Sequence, residues 1–143
     1  MKKIVIRECM TRSPHTIGED VPLMEATEKM KSHNIRHLPV LVRGKVVGIL
    51  SERDVQLILA VYPHPKELVV GDAMVESPYT VTSDTPIEEV LQVMGENKYG
   101  SVVIVDNNNN VEGIFTEVDA ILAFRAHLGA EQEEFKQQCC KRH

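Results

Sequence analysis

GILSERD, Gly48 to Asp54, returns further along the chain as GIFTEVD, Gly113 to Asp119. Each copy runs glycine, two apolar residues and a hydroxyl, with an aspartate three residues after the hydroxyl. A Ser or Thr followed three residues later by an acid marks a helix start, so a strand ending at the hydroxyl and a helix opening behind it is the local reading. Taken singly, Ser51 with Asp54 and Thr116 with Asp119 read as caps. Whether the two acids also grip a small molecule depends on what surrounds them.

Outward from these copies the chain repeats in register. A shift of 64 positions sets Met10 on Met74, Ser13 on Ser77, Pro14 on Pro78, Thr16 on Thr80, Asp20 on Asp84 and Pro22 on Pro86. A shift of 65 sets Gly48 on Gly113, Glu52 on Glu117 and Asp54 on Asp119, so one residue is added in between. It falls in a turn, Arg43-Gly44-Lys45 in the first copy and Asp106 to Asn110 in the second. Gly, Asn and Asp are the residues that accept turn conformations.

Around those turns, LPVLV with VVGIL and SVVIV with VEGIF read as β-branched strands in hairpins. Ahead of each hairpin a helical pattern follows an Asp-x-Pro start: Leu23, Ala26 and Met30, then Ile87, Val90, Leu91 and Met94. The fold class expected is α/β (α+β). Each repeat is a short strand, a helix, a β-hairpin and a helix, and neither can bury enough core alone, so the two pack as a pseudo-twofold pair. Expected boundaries are 7–60 for the first repeat, 61–69 for a linker punctuated by Pro63 and Pro65, 70–128 for the second repeat and 129–143 for a polar tail.

Composition agrees with a globular chain: 143 residues, 43% hydrophobic and 26% charged. The formal charge of -5 disfavours a nucleic-acid surface. The three apolar residues Ile4 to Ile6 are too short for a signal core, and no later run is long enough for a membrane span, so a cytoplasmic protein is expected. Three cysteines without framework spacing fit a reducing compartment. No Ser-His-Asp set, metal-ligand spacing, P-loop or dinucleotide fingerprint is present, which argues against an enzyme.

The run CMTRSPHTI, then RHLPVLVRGKVVGILSERD, and the second copy of both, together resemble a tandem pair of cystathionine-β-synthase (CBS) domains, a Bateman module. The resemblance spans about Arg7 to Leu128. It implies a regulatory module that binds AMP, ADP, ATP or S-adenosylmethionine between the repeats without turnover. It also implies a flat homodimer with phosphates directed toward the middle, and an effector protein of unknown identity. The residue chemistry is compatible with this. An ionised Asp is a two-oxygen acceptor that can take both hydroxyls of a ribose diol, and a helix start offers N–H groups to an anion.

Carried over by position, the resemblance gives two sites. In the first, Thr116 and Asp119 face Ser13, Pro14, Thr16 and Ile17 together with Ile35, Arg36, His37 and Leu38. In the second, Ser51, Arg53 and Asp54 face Ser77, Pro78, Thr80 and Val81 together with Tyr99, Gly100, Ser101 and Val102. Backbone near Ile17 and Val81 would read the adenine edge, and Ile35 or Tyr99 would cover its face. Because Arg36 and His37 stand where the other copy has Gly100 and Ser101, the Asp119 site is expected to take the phosphorylated ligand. A dimerisation or partner-docking scaffold with vestigial sites is the alternative.

Weaker features have plainer readings. Cys139 and Cys140 with His127 and His143 lack the usual metal-ligand spacing. EQEEFKQQ, 131–138, reads as a solvated helix face that could join a dimer contact, His64 as a loop residue, and Met24, Met30 and Met94 as core.

Overall fold

In the computed structural model the backbone is described for residues 3–141 and the side chains for residues 3–132. The first half runs β1 (Thr11–Arg12), β2 (Ile17–Gly18), α1 (Leu23–His33), β3 (His37–Val42), β4 (Lys45–Ser51) and α2 (Glu52–Val61). A short α3 (Val70–Ala73) leads into β5 (Val75–Glu76), β6 (Thr80–Val81), α4 (Ile87–Asn97), β7 (Ser101–Val105), β8 (Val111–Thr116) and α5 (Glu117–Lys141). The expected mixed α/β architecture of two like halves is what forms. α2 stops where Tyr62 precedes Pro63, a position that disfavours helical backbone. α5 continues without a break past the expected end of the second repeat at 128.

Two four-stranded sheets carry the halves, and their composition departs from the simple repeat. One has the order β2-β3-β4-β5 and the other β1-β8-β7-β6. Each hairpin therefore receives its outer strand from the other half. Thr11 pairs with Ile114 and Arg12 with Gly113, while Val75 pairs with Ile49 and Glu76 with Gly48. Directly after each exchanged strand the chain turns through a left-handed residue, Ser13 (φ 48) or Ser77 (φ 51), and re-enters its own half as β2 or β6.

The glycine of each opening motif explains how the exchanged strand fits. A Cβ on Gly48 would lie 2.6 Å from Met74 Sδ and 3.0 Å from the Val75 carbonyl. On Gly113 it would lie 2.6 Å from Met10 Sδ and 2.9 Å from the Thr11 carbonyl. The close approach that requires glycine is thus made by a neighbouring strand and its methionine.

The cores follow the same exchange. Leu23, Ala26, Met30, Leu38, Val40 and Leu50 pack with Leu68 from the linker and Val70 at the start of α3. Val90, Met94, Val102, Ile104 and Phe115 pack with Ile6 from the N-terminal segment. Backbone bonds tie these segments down, among them Val70 N–H to the Val21 carbonyl (2.9 Å) and Ile6 N–H to the Thr85 carbonyl (2.8 Å). A third cluster, Val46, Val103 and Val105 with Leu41, Ile49 and Val111, joins the two sheets. The turns meet as well: Asn109 Nδ2 donates to the Val46 carbonyl (3.0 Å) and Lys45 Nζ to Asn110 Oδ1 (2.8 Å). Met24, expected in the core, lies outside it at 46% exposed, and Leu91 of the second helical pattern is 42% exposed.

Candidate functional site

Both opening motifs do begin helices, but they use their acids differently. Ser51 Oγ accepts from the Asp54 N–H (3.0 Å) and donates to Asp54 Oδ2 (2.7 Å), while the Ser51 N–H reaches the same Oδ2 (3.4 Å). This reciprocal box locks the carboxylate at the head of α2. Every hydrogen bond it makes among the described residues ends on Oδ2, so Oδ1 keeps its acceptor capacity. Asp119 is more fully engaged. Oδ2 accepts from Thr116 N–H (2.9 Å) and Thr116 Oγ1 (3.3 Å), and Oδ1 accepts from Thr11 Oγ1 (3.0 Å) on the exchanged strand β1. Thr11 has Val75 as its counterpart, so the second acid has a partner that the first lacks.

Asp54 lies on the wall of a cavity of about 890 Å³. The cavity brings together Ser51, Arg53 and Asp54 with Ser77, Pro78, Tyr99, Gly100 and Ser101, the grouping expected from the resemblance. Thr80, Val81 and Val102 are not on its wall; Val102 is buried in the core of the second half. Tyr79, absent from the expected set, lines it, and its ring lies 5.8 Å from that of Tyr99 at a tilt of 32°. This is an aromatic surface of the size that a flat heterocycle covers. Burial pushes the Tyr79 phenol up from its usual range, with Glu89 adding to it.

Arg36 and His37 are placed differently from the expectation. Both line the Asp54 cavity. The cause is sheet register: His37 pairs with Ser51 across the β3–β4 hairpin, and the Arg36 carbonyl accepts from the Glu52 N–H (2.8 Å). Gly100 leaves room for the imidazole, whose Nε2 is 3.3 Å from where a Cβ at 100 would stand. Burial lowers the His37 pKa, against the pull of Glu117, Asp54 and Glu52 and with a push from Arg36. Arg36 and His37 therefore bring their cationic and imidazole groups to the Asp54 cavity, whose wall does not include Asp119.

The remaining residues assigned with Asp119 are scattered in role. Ser13 N–H donates to the Glu112 carbonyl (3.3 Å), which keeps the segment beside β8. Pro14 is half-buried, and the Thr16 carbonyl accepts from Lys29 Nζ. Ile17 and Leu38 are core residues of the first half, with Ile35 packed against them, so their side chains serve folding. No helix among the described residues is long and apolar enough to cross a membrane. Nor does any group of three His, Cys, Asp or Glu among them have the placement of a metal site. The side chains of Cys139 and Cys140, and His143 altogether, lie outside the described residues; His127 pairs with Glu131 (3.1 Å).

This architecture and site can be compared with known proteins. The CBS domain profile matches residues 6–60 and again 70–126. The chain belongs to the CBS domain family. Among solved CBS pairs it is similar to that of MJ0100 in complex with 5′-methylthioadenosine and S-adenosyl-L-methionine. The TM-score there is 0.81 at 28% identity, covering 88% of this chain and 99% of that one. It is also similar to CBSX2 in complex with AMP (TM-score 0.73, 26% identity, 89% and 98% coverage), a protein of Arabidopsis thaliana. Inosine-5′-monophosphate dehydrogenase of Thermoplasma acidophilum is 30% identical over 118 residues, 82% of this chain and 22% of that enzyme. The chain spans between 15% and 28% of the length of that enzyme and four further curated relatives. Within the CBS pair, the exchanged strands and paired hairpins place the Asp54 cavity between residues of both repeats.

Proposed function

We propose that this CBS pair is a regulatory module that binds an adenosine-containing ligand in the Asp54 cavity and passes its occupancy to a partner or to a second copy. AMP, ADP, ATP and S-adenosylmethionine are the ligand class. The observation that carries the reading is Asp54 itself, held by Ser51 through Oδ2 with Oδ1 unengaged at the wall of a cavity large enough for a nucleoside. A ribose diol offers two O–H donors to such a carboxylate, and hydrogen bonds to a charged group contribute about 1.5–3 kcal/mol each. Tyr79 and Tyr99 offer the adenine a face. The bound adenosyl ligands of MJ0100 and CBSX2 support the same class. No chemical step is assigned to the cavity.

Transmission would use the helices behind the hairpins. Leu57 and Val61 on α2, and Val118, Ile121 and Phe124 on α5, are each more than half exposed, an apolar display suited to a second copy. A homodimer joined there would place α2, whose head carries Asp54, at the shared face. The docking-scaffold alternative relies on the same helices and differs in predicting empty cavities.

A thermal-shift series with adenosine, AMP, ATP and S-adenosylmethionine separates the two. A ligand at about 100 times its Kd stabilises by about 2.7 kcal/mol. At this chain length that is roughly 5–11 °C. Asp54→Ala should remove the shift and Asp119→Ala should leave most of it. Unchanged melting with every ligand favours the scaffold, and loss only in Asp119→Ala moves the site to the other acid.

A further inference from the structure

If Asp54 clamps the ribose, as proposed above, the remaining wall of the cavity must receive whatever group the ligand carries at its 5′ position. Beyond Asp54 that wall holds three permanent cations, Arg36, Arg53 and Lys98, and three carboxylates, Glu52, Glu76 and Glu117. All six are exposed, and among the described residues none forms an ion pair with another within 4 Å. Glu52 accepts only from the neutral amide of Gln56 (3.3 Å). A pocket that concentrates polyphosphate would show an excess of one sign. Here, apart from Asp54, cations and carboxylates stand in equal number around one space with no ion pair between them among the described residues.

The head of α2 does not compensate. The Glu52 N–H is used by the Arg36 carbonyl and the Asp54 N–H by Ser51 Oγ, which leaves only the Arg53 N–H of that turn unbonded among the described residues. The anion cradle that a helix start supplies when its N–H groups are open is largely consumed by capping.

We infer that the Asp54 cavity selects adenosyl ligands with a zwitterionic, amino-acid tail at the 5′ position over those with a polyphosphate tail. The tail carboxylate pairs with the arginines, and the tail ammonium pairs with Glu117 and Glu76. A triphosphate gains the cations and meets the carboxylates at the same time, so its net electrostatic gain is small.

Isothermal titration with 5′-methylthioadenosine, S-adenosylhomocysteine and ATP tests this, because the first two share a thioether and differ in the zwitterion. S-adenosylhomocysteine should bind about tenfold more tightly than 5′-methylthioadenosine, and ATP more weakly than either. Arg36→Gln and Glu117→Gln should each weaken S-adenosylhomocysteine about three- to fivefold, the size of one partly screened charge contact, and leave 5′-methylthioadenosine within about twofold. Glu117→Gln should also strengthen ATP. Unchanged 5′-methylthioadenosine binding reports that each variant is folded. Equal affinity for the two thioethers, or ATP as the tightest ligand with Asp54→Ala abolishing all binding, overturns the zwitterion selection and leaves the ribose clamp standing. Binding that survives Asp54→Ala, or no binding by any of the three, overturns both.

Discussion

Replacing Gly113 with alanine tests the strand exchange directly. The added Cβ would meet Met10 Sδ at 2.6 Å and the Thr11 carbonyl oxygen at 2.9 Å. The thioether can swing aside. The carbonyl cannot, because β1 is fixed in register on β8 through Thr11–Ile114 and Arg12–Gly113. Overpacking of this kind costs about 1–3 kcal/mol. Alanine also restricts the unfolded chain, which offsets about 0.4–1 kcal/mol. At mid-range the net expectation is a loss of about 1.3 kcal/mol in urea unfolding, or roughly 3–5 °C in Tm. Gly95→Ala is the matched control: it lies in α4, a Cβ there meets nothing within 4 Å, and the change should stabilise by about 0.5–1 kcal/mol. If both variants shift in the same direction, or Gly113→Ala is as stable as the parent, the close-approach argument is wrong.

Ser51→Ala removes the cap that both accepts from the Asp54 N–H and holds its carboxylate, and should cost about 0.5–2 kcal/mol in chemical denaturation. Thr11→Val copies the Val75 of the other half and deletes only the bond to Asp119; because that bond is exposed and water can replace it, a loss below about 1 kcal/mol is expected by the same assay. His37 has a folded pKa below its ordinary 6.5, chiefly from burial, so the unfolded chain binds more protons between the two values. Stability should therefore be unaffected by His37 above about pH 6.5 and fall as pH drops below it; His37→Gln should flatten that part of a Tm-versus-pH profile, and an unchanged slope would exclude His37 as its source.

Most of the fold was legible because its signals are local. The hydroxyl-acid spacing at Ser51 and Asp54 forms the capping box it suggested, and the RGK and DNNNN segments make the turns between β-branched strands. The strand exchange was not legible. β1 and β5 are two residues each, too short for an alternating pattern, and their partners lie about a hundred and about thirty residues away. The glycines shared by both motifs were the available signal, but glycine before a site also suits a ligand. The cavity's membership was legible where it followed the repeat, at Asp54, Ser77 and Tyr99. It failed for Arg36 and His37 because hairpin register sets them beside Ser51, and a repeat alignment carries no register. Thr11 at the position of Val75 was a visible difference between the copies, and its consequence for Asp119 appears only once β1 lies across β8.

Because each half of the chain supplies a strand and a core residue to the other, neither half is a complete folding unit. Cutting the backbone in the linker, between Tyr62 and Leu68, would give two peptides that each present a hairpin with an unsatisfied edge and a core without its Ile6 or Val70 plug. Alone, each should remain loosely ordered, and mixed at equal concentration they should reconstitute one another. The molecule is better regarded as two complementary fragments clasped by mutual loan than as two beads joined by a tether.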